Sequence, residues 1–312
     1  MGSKGANMKS FLSYLLLIVV FAGCGRVQDQ VISDGQLYIV TTTGMIADAV
    51  TNIGGDSVRV ESLMGPGVDP HLYKATQGDL KKLIEADIIF YNGVHLEGKM
   101  GEVLEKLSRQ KRVIAIGESL DEERLREAAG FAGTYDPHLW FNVLLWRDAI
   151  RSIEIILSDI QPDKSMYFKQ NADAYFNELT QLDQWVRMRI EELPPSSRIL
   201  VTAHDAFGYF GDAYGFTVRG LQGLSTLSEF GLKDVSDLVN YIVENRVKAV
   251  FVETSVPKRS IDAVVAGCRE RGFDVRIGGN LFSDAMGAEG TPEGTYVGMV
   301  QSNVNTIVDS LL

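Results

Sequence analysis

Cysteine is almost absent from this chain of 312 residues, which carries only Cys24 and Cys268. Two thiols cannot build a cysteine-rich zinc site or a disulfide framework. Histidine is nearly as scarce, with four residues. There is no histidine-rich tract, and no HExxH pair that would set two imidazoles and a general base on one helix face. Positive charge is in the minority: 30 Lys and Arg stand against 41 Asp and Glu, a formal net charge of −11. That balance argues against nucleic acid or anionic lipid headgroups as partners, since both are bound by a surplus of cations. After the N-terminal segment no apolar run approaches the ~20 residues that a membrane-spanning helix needs.

The one apolar run lies at the start. Lys4 and Lys9 precede Phe11–Gly23, a basic n-region and an h-region too short to span. It ends in Phe21-Ala22-Gly23-Cys24, which is similar to a bacterial lipobox with Phe in place of the usual Leu. Residues 1–23 are therefore expected to be a lipoprotein signal peptide, translated from Met1 or Met8. Cys24 is expected to carry lipid, and 24–35 to form the tether. Removing the segment takes away two lysines and no acidic residue, so the mature chain is more acidic still. Cys268 is then alone, in the small-residue stretch Ala263–Cys268, and reads as a buried, inert thiol.

The mature chain alternates between strands and helices. Strands are expected at Leu37–Thr42, Val58–Leu63, Ile88–Tyr91 and Val113–Ile116, with helices through Met45–Val50, Ala75–Glu85 and Leu96–Leu107. Glu97-Gly98-Lys99 reads as the solvated start of the last of these. Helix is again expected at Val143–Ile160. Beyond Pro162 one helix is expected over roughly 163–193, because Phe168, Ala172, Tyr175, Leu179, Leu182, Val186 and Ile190 recur at three- and four-residue steps. Pro194-Pro195 stops it. Strands then resume at Ile199–Ala203, Thr217–Leu221, Ala249–Glu253 and Val275–Gly278, and a last helix runs from about Glu293 to Leu311. The pattern predicts an α/β protein of two lobes, each a parallel sheet flanked by helices, at 36–160 and 196–312, joined by one long rigid helix within 161–195.

Against this background one phrase occurs twice. Asp69-Pro70-His71-Leu72-Tyr73 returns as Asp136-Pro137-His138-Leu139-Trp140. Proline fixes its own φ and keeps the preceding residue out of the helical region. Each phrase is thus a stiff turn that presents an imidazole, the commonest metal ligand. His204 directly follows the strand at Ile199–Ala203, and ligands of open α/β sheets gather at the carboxyl ends of strands. Asp284, after Gly278-Gly279-Asn280-Leu281-Phe282-Ser283, is a further candidate, though spacing alone does not single it out among 41 acidic residues. His95 lies outside the repeated phrase and reads as a surface or core histidine. The aromatic residue after each Asp-Pro-His-Leu reads as packing.

Longer stretches resemble the TroA-type metal-binding lipoproteins of the cluster-nine family. They are Leu63–Tyr73, Tyr91-Asn92-Gly93, Val201–Phe210 and Phe282–Gly287. The resemblance covers residues 36–312. It implies a solute-binding protein of an ABC importer, with one zinc or manganese ion held by His71, His138, His204 and Asp284. It also implies partners in a membrane permease and its ATPase, a location in the periplasm or cell envelope with a lipid anchor at Cys24, a monomer, and no catalysis. Three imidazoles and one carboxylate suit a borderline transition metal rather than calcium or magnesium. Asp69, Asp136, Asp205 and Glu253 are the candidates to accept the second ring N–H of the histidines. Zinc-selective relatives often carry a histidine-rich loop, which is lacking here. Manganese-selective relatives commonly have Glu where this chain has His204. The donor set therefore stands between the two patterns. Two other readings accommodate the same residues, a surface adhesin with a structural metal and, with less support, a metallohydrolase.

Overall fold

The computed structural model describes residues 35–128 and 133–312; the expected signal peptide, Cys24 and the tether up to residue 34 lie outside the described residues. The first half is built from β1 (Leu37–Thr41), α1 (Gly44–Gly54), β2 (Val58–Ser62), α2 (Gln77–Glu85), β3 (Ile88–Tyr91), α3 (Gly101–Ser108) and β4 (Arg112–Ala115). The strands form one parallel sheet in the order β2-β1-β3-β4. Successive residues point to opposite faces of a strand, and the sequence uses both faces. Ile39, Ile88 and Phe90 join one apolar cluster, while Val40 and Ile89 join another with Leu83 of α2 and Leu104 of α3. A strand buried on both faces reads as a continuous apolar run, as Ile88-Ile89-Phe90 does.

The chain continues through α4 (Val143–Ala149), α5 (Arg151–Ile160) and α6 (Ser165–Glu191). The second half then adds β5 (Ile199–His204), α7 (Gly208–Tyr214), β6 (Thr217–Gln222), α8 (Leu232–Glu244), β7 (Ala249–Glu253), α9 (Arg259–Glu270), β8 (Arg276–Leu281) and α10 (Tyr296–Leu311). Here β5 pairs with β6 and β7 with β8, all parallel, and β5 and β7 lie side by side. Alternation repeats: Leu200 and Phe251 face the cluster that also holds Ile39, whereas Val201 and Val250 face a separate one with Cys268. Cys268 is buried and free, as its surroundings in the sequence suggest.

Helix α6 has 27 residues and spans about 40 Å. Its predicted apolar stripe is the buried one, and it packs on α1, α4, α5 and α10. One continuous core, from Ile39 through Leu179 to Phe251 and Val304, therefore runs through both halves. Among the described residues no helix is long and apolar enough to cross a membrane.

Three local expectations change. The helix expected from Leu96 begins at Gly101, because Val94 and His95 take positive φ of 51° and 64° and Glu97 turns inward. The helix expected over Val143–Ile160 breaks at Ile150. The carbonyl of Ala149 there accepts the hydroxyls of Ser119 at 3.1 Å and Ser152 at 2.9 Å, which compete with the helical bond. The last strand, expected to end at Gly278, runs on through Gly279 to Leu281. Those glycines serve close packing: a Cβ on Gly279 would lie 2.5 Å from Thr306 Cγ2 of α10.

Candidate metal centre

The two Asp-Pro-His phrases fold alike because each is closed locally. Asp69 Oδ1 accepts the backbone N–H of His71 at 2.9 Å, and Asp136 Oδ1 accepts that of His138 at 3.0 Å. These are Asx-type turns, in which a carboxylate replaces a backbone acceptor two residues on. The first follows β2 and the second leads into α4. His204 is the last residue of β5, and Asp284 follows β8. All four side chains are buried, at 0 to 2% exposure.

They converge. One ligand atom from each of His71, His138, His204 and Asp284 lies within 4.8 Å of the other three. His138 Nε2 is 3.4 Å from Asp284 Oδ1, and His204 Nε2 is 3.3 Å from Asp284 Oδ2. The ring centroids of His138 lie 5.4 Å from those of both His71 and His204. Nε2 of all three histidines and Oδ1 of Asp284 are buried without a hydrogen-bond partner. Buried polar atoms are ordinarily satisfied, and leaving one orphaned costs about 1–3 kcal/mol. Four orphans pointing at one spot fit a cation with nitrogen and oxygen ligands.

The electrostatics separate the three imidazoles. Burial lowers the pKa of His71 to about 3, so that ring is neutral. Burial acts the same way on His138 but is outweighed by Asp136 and Asp284, which raise it to about 9. His204 is likewise raised well above its ordinary value, burial being overcome by Asp284 and Glu253. Asp284 is held well below the usual carboxylate range, against burial, by His204 and His138. Asp284 and its two histidine neighbours thus favour each other's charged forms.

The four expected acceptors do not play one part. Asp136 Oδ1 reaches the His138 ring, 2.7 Å from Nδ1. Glu253 accepts the backbone N–H of His204 through Oε1 at 2.9 Å and sets Oε2 at 2.5 Å from its Nδ1. Asp69 does not reach the His71 ring; its second oxygen accepts the hydroxyl of Thr226 at 2.6 Å. Asp205 donates its backbone N–H to the carbonyl of Gly223 at 3.4 Å rather than serving a histidine ring, and burial raises its pKa. His95 is exposed and stays outside the cluster. Trp140 is buried, and its indole N–H donates to the carbonyl of Ser283 at 3.0 Å, so it fastens the His138 loop to the Asp284 loop.

Two supporting residues escaped sequence reasoning. Ser255 Oγ bonds Asp284 Oδ2 at 3.3 Å, a contact across 29 residues with no local signal. Glu97 is the larger correction: far from being a solvated helix start, it is 3% exposed. Its carboxylate accepts the hydroxyl of Thr42 at 2.7 Å and the backbone N–H groups of Asn92 at 2.7 Å and Gly93 at 3.2 Å. Asn92 in turn donates to the carbonyl of Pro137 at 3.0 Å. Glu97 thereby joins the ends of β1 and β3 to the turn that carries His138. The one available signal was the tight Asn92-Gly93 turn just before it.

An α/β chain that gathers three imidazoles and one carboxylate from strand ends and loops has the make-up of a metal-binding protein of the solute-binding class. The chain belongs to the ZnuA family, described as zinc-uptake complex component A, periplasmic, whose profile matches residues 39–310. It is 52% identical to the manganese-binding lipoprotein MntA of Bacillus subtilis, over 97% of this chain and 100% of that one. It is 49% identical to the zinc-binding protein TroA of Treponema pallidum, over 89% of this chain and 90% of that one. The solved structure of the treponemal periplasmic zinc-binding protein TroA superposes with a TM-score of 0.87 at 48% identity, covering 89% of this chain and 99% of that one. That match bears out the α/β architecture of helix-flanked parallel sheets expected from the sequence.

Proposed function

We propose that this chain is the substrate-binding component of an ABC importer, which captures zinc or manganese at His71, His138, His204 and Asp284 and delivers it to a membrane permease driven by its ATPase. The carrying observation is the convergence of four buried, otherwise unpartnered donor atoms drawn from loops and a strand end in both halves. Asp136 and Glu253 orient the imidazoles of His138 and His204, and Asp69 sets the His71 turn. The names of two relatives, a manganese-binding lipoprotein and a zinc-binding protein, support a cargo of this class. The word lipoprotein in the first of those names supports anchoring in the cell envelope, for which Cys24 is the candidate lipid site. The protein works as a monomer with lobes at 36–160 and 196–312 on the helix within 161–195. Four protein donors fill a tetrahedral shell, whereas a hydrolytic zinc keeps one position for water.

Metal analysis of protein purified without added metal, followed by zinc–manganese competition, tests this reading. Zinc is expected to bind at least as tightly as manganese, since imidazole-rich sites follow the intrinsic order of the first-row ions. Manganese displacing zinc at equal concentration would contradict that expectation, and protein that retains neither ion would sink the proposed cargo.

Acidification should weaken binding. Metal must replace the protons on His138 and His204, and His138 keeps its proton up to about 9. Affinity therefore rises steadily between about pH 6 and pH 9, with proton release on binding. Zinc affinity measured against a competing chelator across that range, or calorimetry in buffers of different ionisation enthalpy, reads the slope. A plateau from about pH 7 upward would show that those protons are absent.

A further inference from the structure

We propose that Arg126 is a positioning residue of the metal centre, which fastens the His138 turn to the helix following His204 and so sets how long the ion is held. The inference rests on the metal-site reading above. Three observations carry it, beginning at Asp136, which has no solvent exposure. Its Oδ1 is committed to the backbone and ring of His138, but Oδ2 is buried with no hydrogen-bond partner. The cation that faces that oxygen is the Arg126 guanidinium, with Nε at 3.6 Å. A buried carboxylate oxygen with no hydrogen-bond partner is costly, and a cation facing it offsets that cost and helps hold it in place. The backbone holds the two in register, because the carbonyl of Arg126 accepts the N–H of Asp136 at 2.8 Å.

The second observation lies on the other side of Arg126. Its backbone N–H donates to the hydroxyl of Tyr209 at 2.9 Å, and its Nη1 pairs with Asp212. Tyr209 and Asp212 both belong to α7, which begins shortly after His204. Arg126 thus bridges a carboxylate under one ligand and the helix that continues from another.

The third observation is Gly208, the first residue of α7. A Cβ there would lie 2.4 Å from Arg126 Nε and 2.7 Å from Asp136 Oδ2. The helix comes this close because the position has no side chain. The guanidinium side chain is 35% exposed and Asp212 is 61% exposed, so the outer end of the bridge reaches solvent while the inner end touches a sealed carboxylate. Lysine has a single charged point and cannot serve both carboxylates as the planar guanidinium does.

The test compares wild type with Arg126→Ala, Arg126→Lys and Gly208→Ala. The readouts are zinc dissociation into excess chelator by stopped flow, the visible spectrum of the cobalt(II)-substituted protein, and the melting point of the metal-free form. Arg126→Ala is expected to speed zinc release by about tenfold or more, within the ~10–100-fold cost of losing an outer partner, and to shift the cobalt bands. Arg126→Lys should recover part of the loss. Gly208→Ala, which removes no charge, should also speed release by prising the two sides apart. Zinc release and cobalt bands unchanged in Arg126→Ala would overturn the proposal even if its melting point fell, since that pattern marks a structural role alone. A wild type that binds neither zinc nor manganese would remove the site and this role together, whereas a binding wild type with unaltered variants rejects only the role of Arg126.

Discussion

Replacing His71 by alanine should abolish tight zinc and manganese binding and leave the metal-free fold close to wild-type stability. The two halves of that expectation have separate causes. His71 supplies one of four converging donors, so its loss should exceed the ~10–100-fold cost of removing an outer partner. Yet the ring is 1% exposed, and neither of its nitrogens has a hydrogen-bond partner within the protein. Truncation leaves a cavity, which costs stability, but it also removes two orphaned polar atoms, which returns some of it. His138→Ala is the contrast, because it would strand the buried Asp136 carboxylate that now bonds the His138 ring. Chelator-competition titration reads the affinity, and melting curves with and without zinc read the rest. In wild type, zinc at about 100 times its dissociation constant stabilises by about 2.7 kcal/mol, and that rise should vanish in His71→Ala. A metal-free melting point lowered as far as in His138→Ala would contradict the account.

Glu97→Ala should be among the most destabilising single changes away from the ligands. It would leave the Thr42 hydroxyl and the N–H groups of Asn92 and Gly93 buried without their acceptor. At about 1–3 kcal/mol for each orphaned group, the loss is about 3 kcal/mol or more. With a little under 2 °C per kcal/mol for a chain of this size, the midpoint should fall by about 5 °C or more. Glu97→Gln should not rescue it fully, since an amide offers one oxygen and turns a second donor toward donors already there. Metal affinity should fall as well, because Asn92 carries the effect to Pro137 and so to His138. Thermal or urea unfolding of both variants tests this, and a midpoint within about 1 °C of wild type would show that the network contributes little.

Glu97 also shows where reading from sequence stops. Its neighbours Gly98 and Lys99 are exposed, and a Glu-Gly-Lys triplet ahead of an amphipathic pattern carries every local mark of a solvated helix start. The burial comes from β1 and β3, whose ends bring Thr42 and Asn92 to the same place. The long helix was the opposite case. Its stripe at three- and four-residue steps is a property of the helix alone, so α6 was legible almost to its ends. The break at Ile150 was not, since it depends on the hydroxyl of Ser119, 30 residues away from Ala149.

The twin Asp-Pro-His phrase divides along the same line. What the amino-acid order determined by itself is the turn: an Asx bond spans two residues, proline stiffens it, and both copies close within 0.1 Å of each other. The alternation of strands and helices, and the supply of imidazoles at strand ends, are local in the same sense. Only the tertiary structure decided what each aspartate does with its other contacts. Asp136 turns to its own imidazole and to Arg126, while Asp69, in an identical phrase, takes the hydroxyl of Thr226 from 157 residues away. It likewise selected Asp284 from the many carboxylates. The physical reason is range: a bond across two residues is settled by backbone geometry, whereas one across 157 exists only after two sheets and a shared core have brought its ends together.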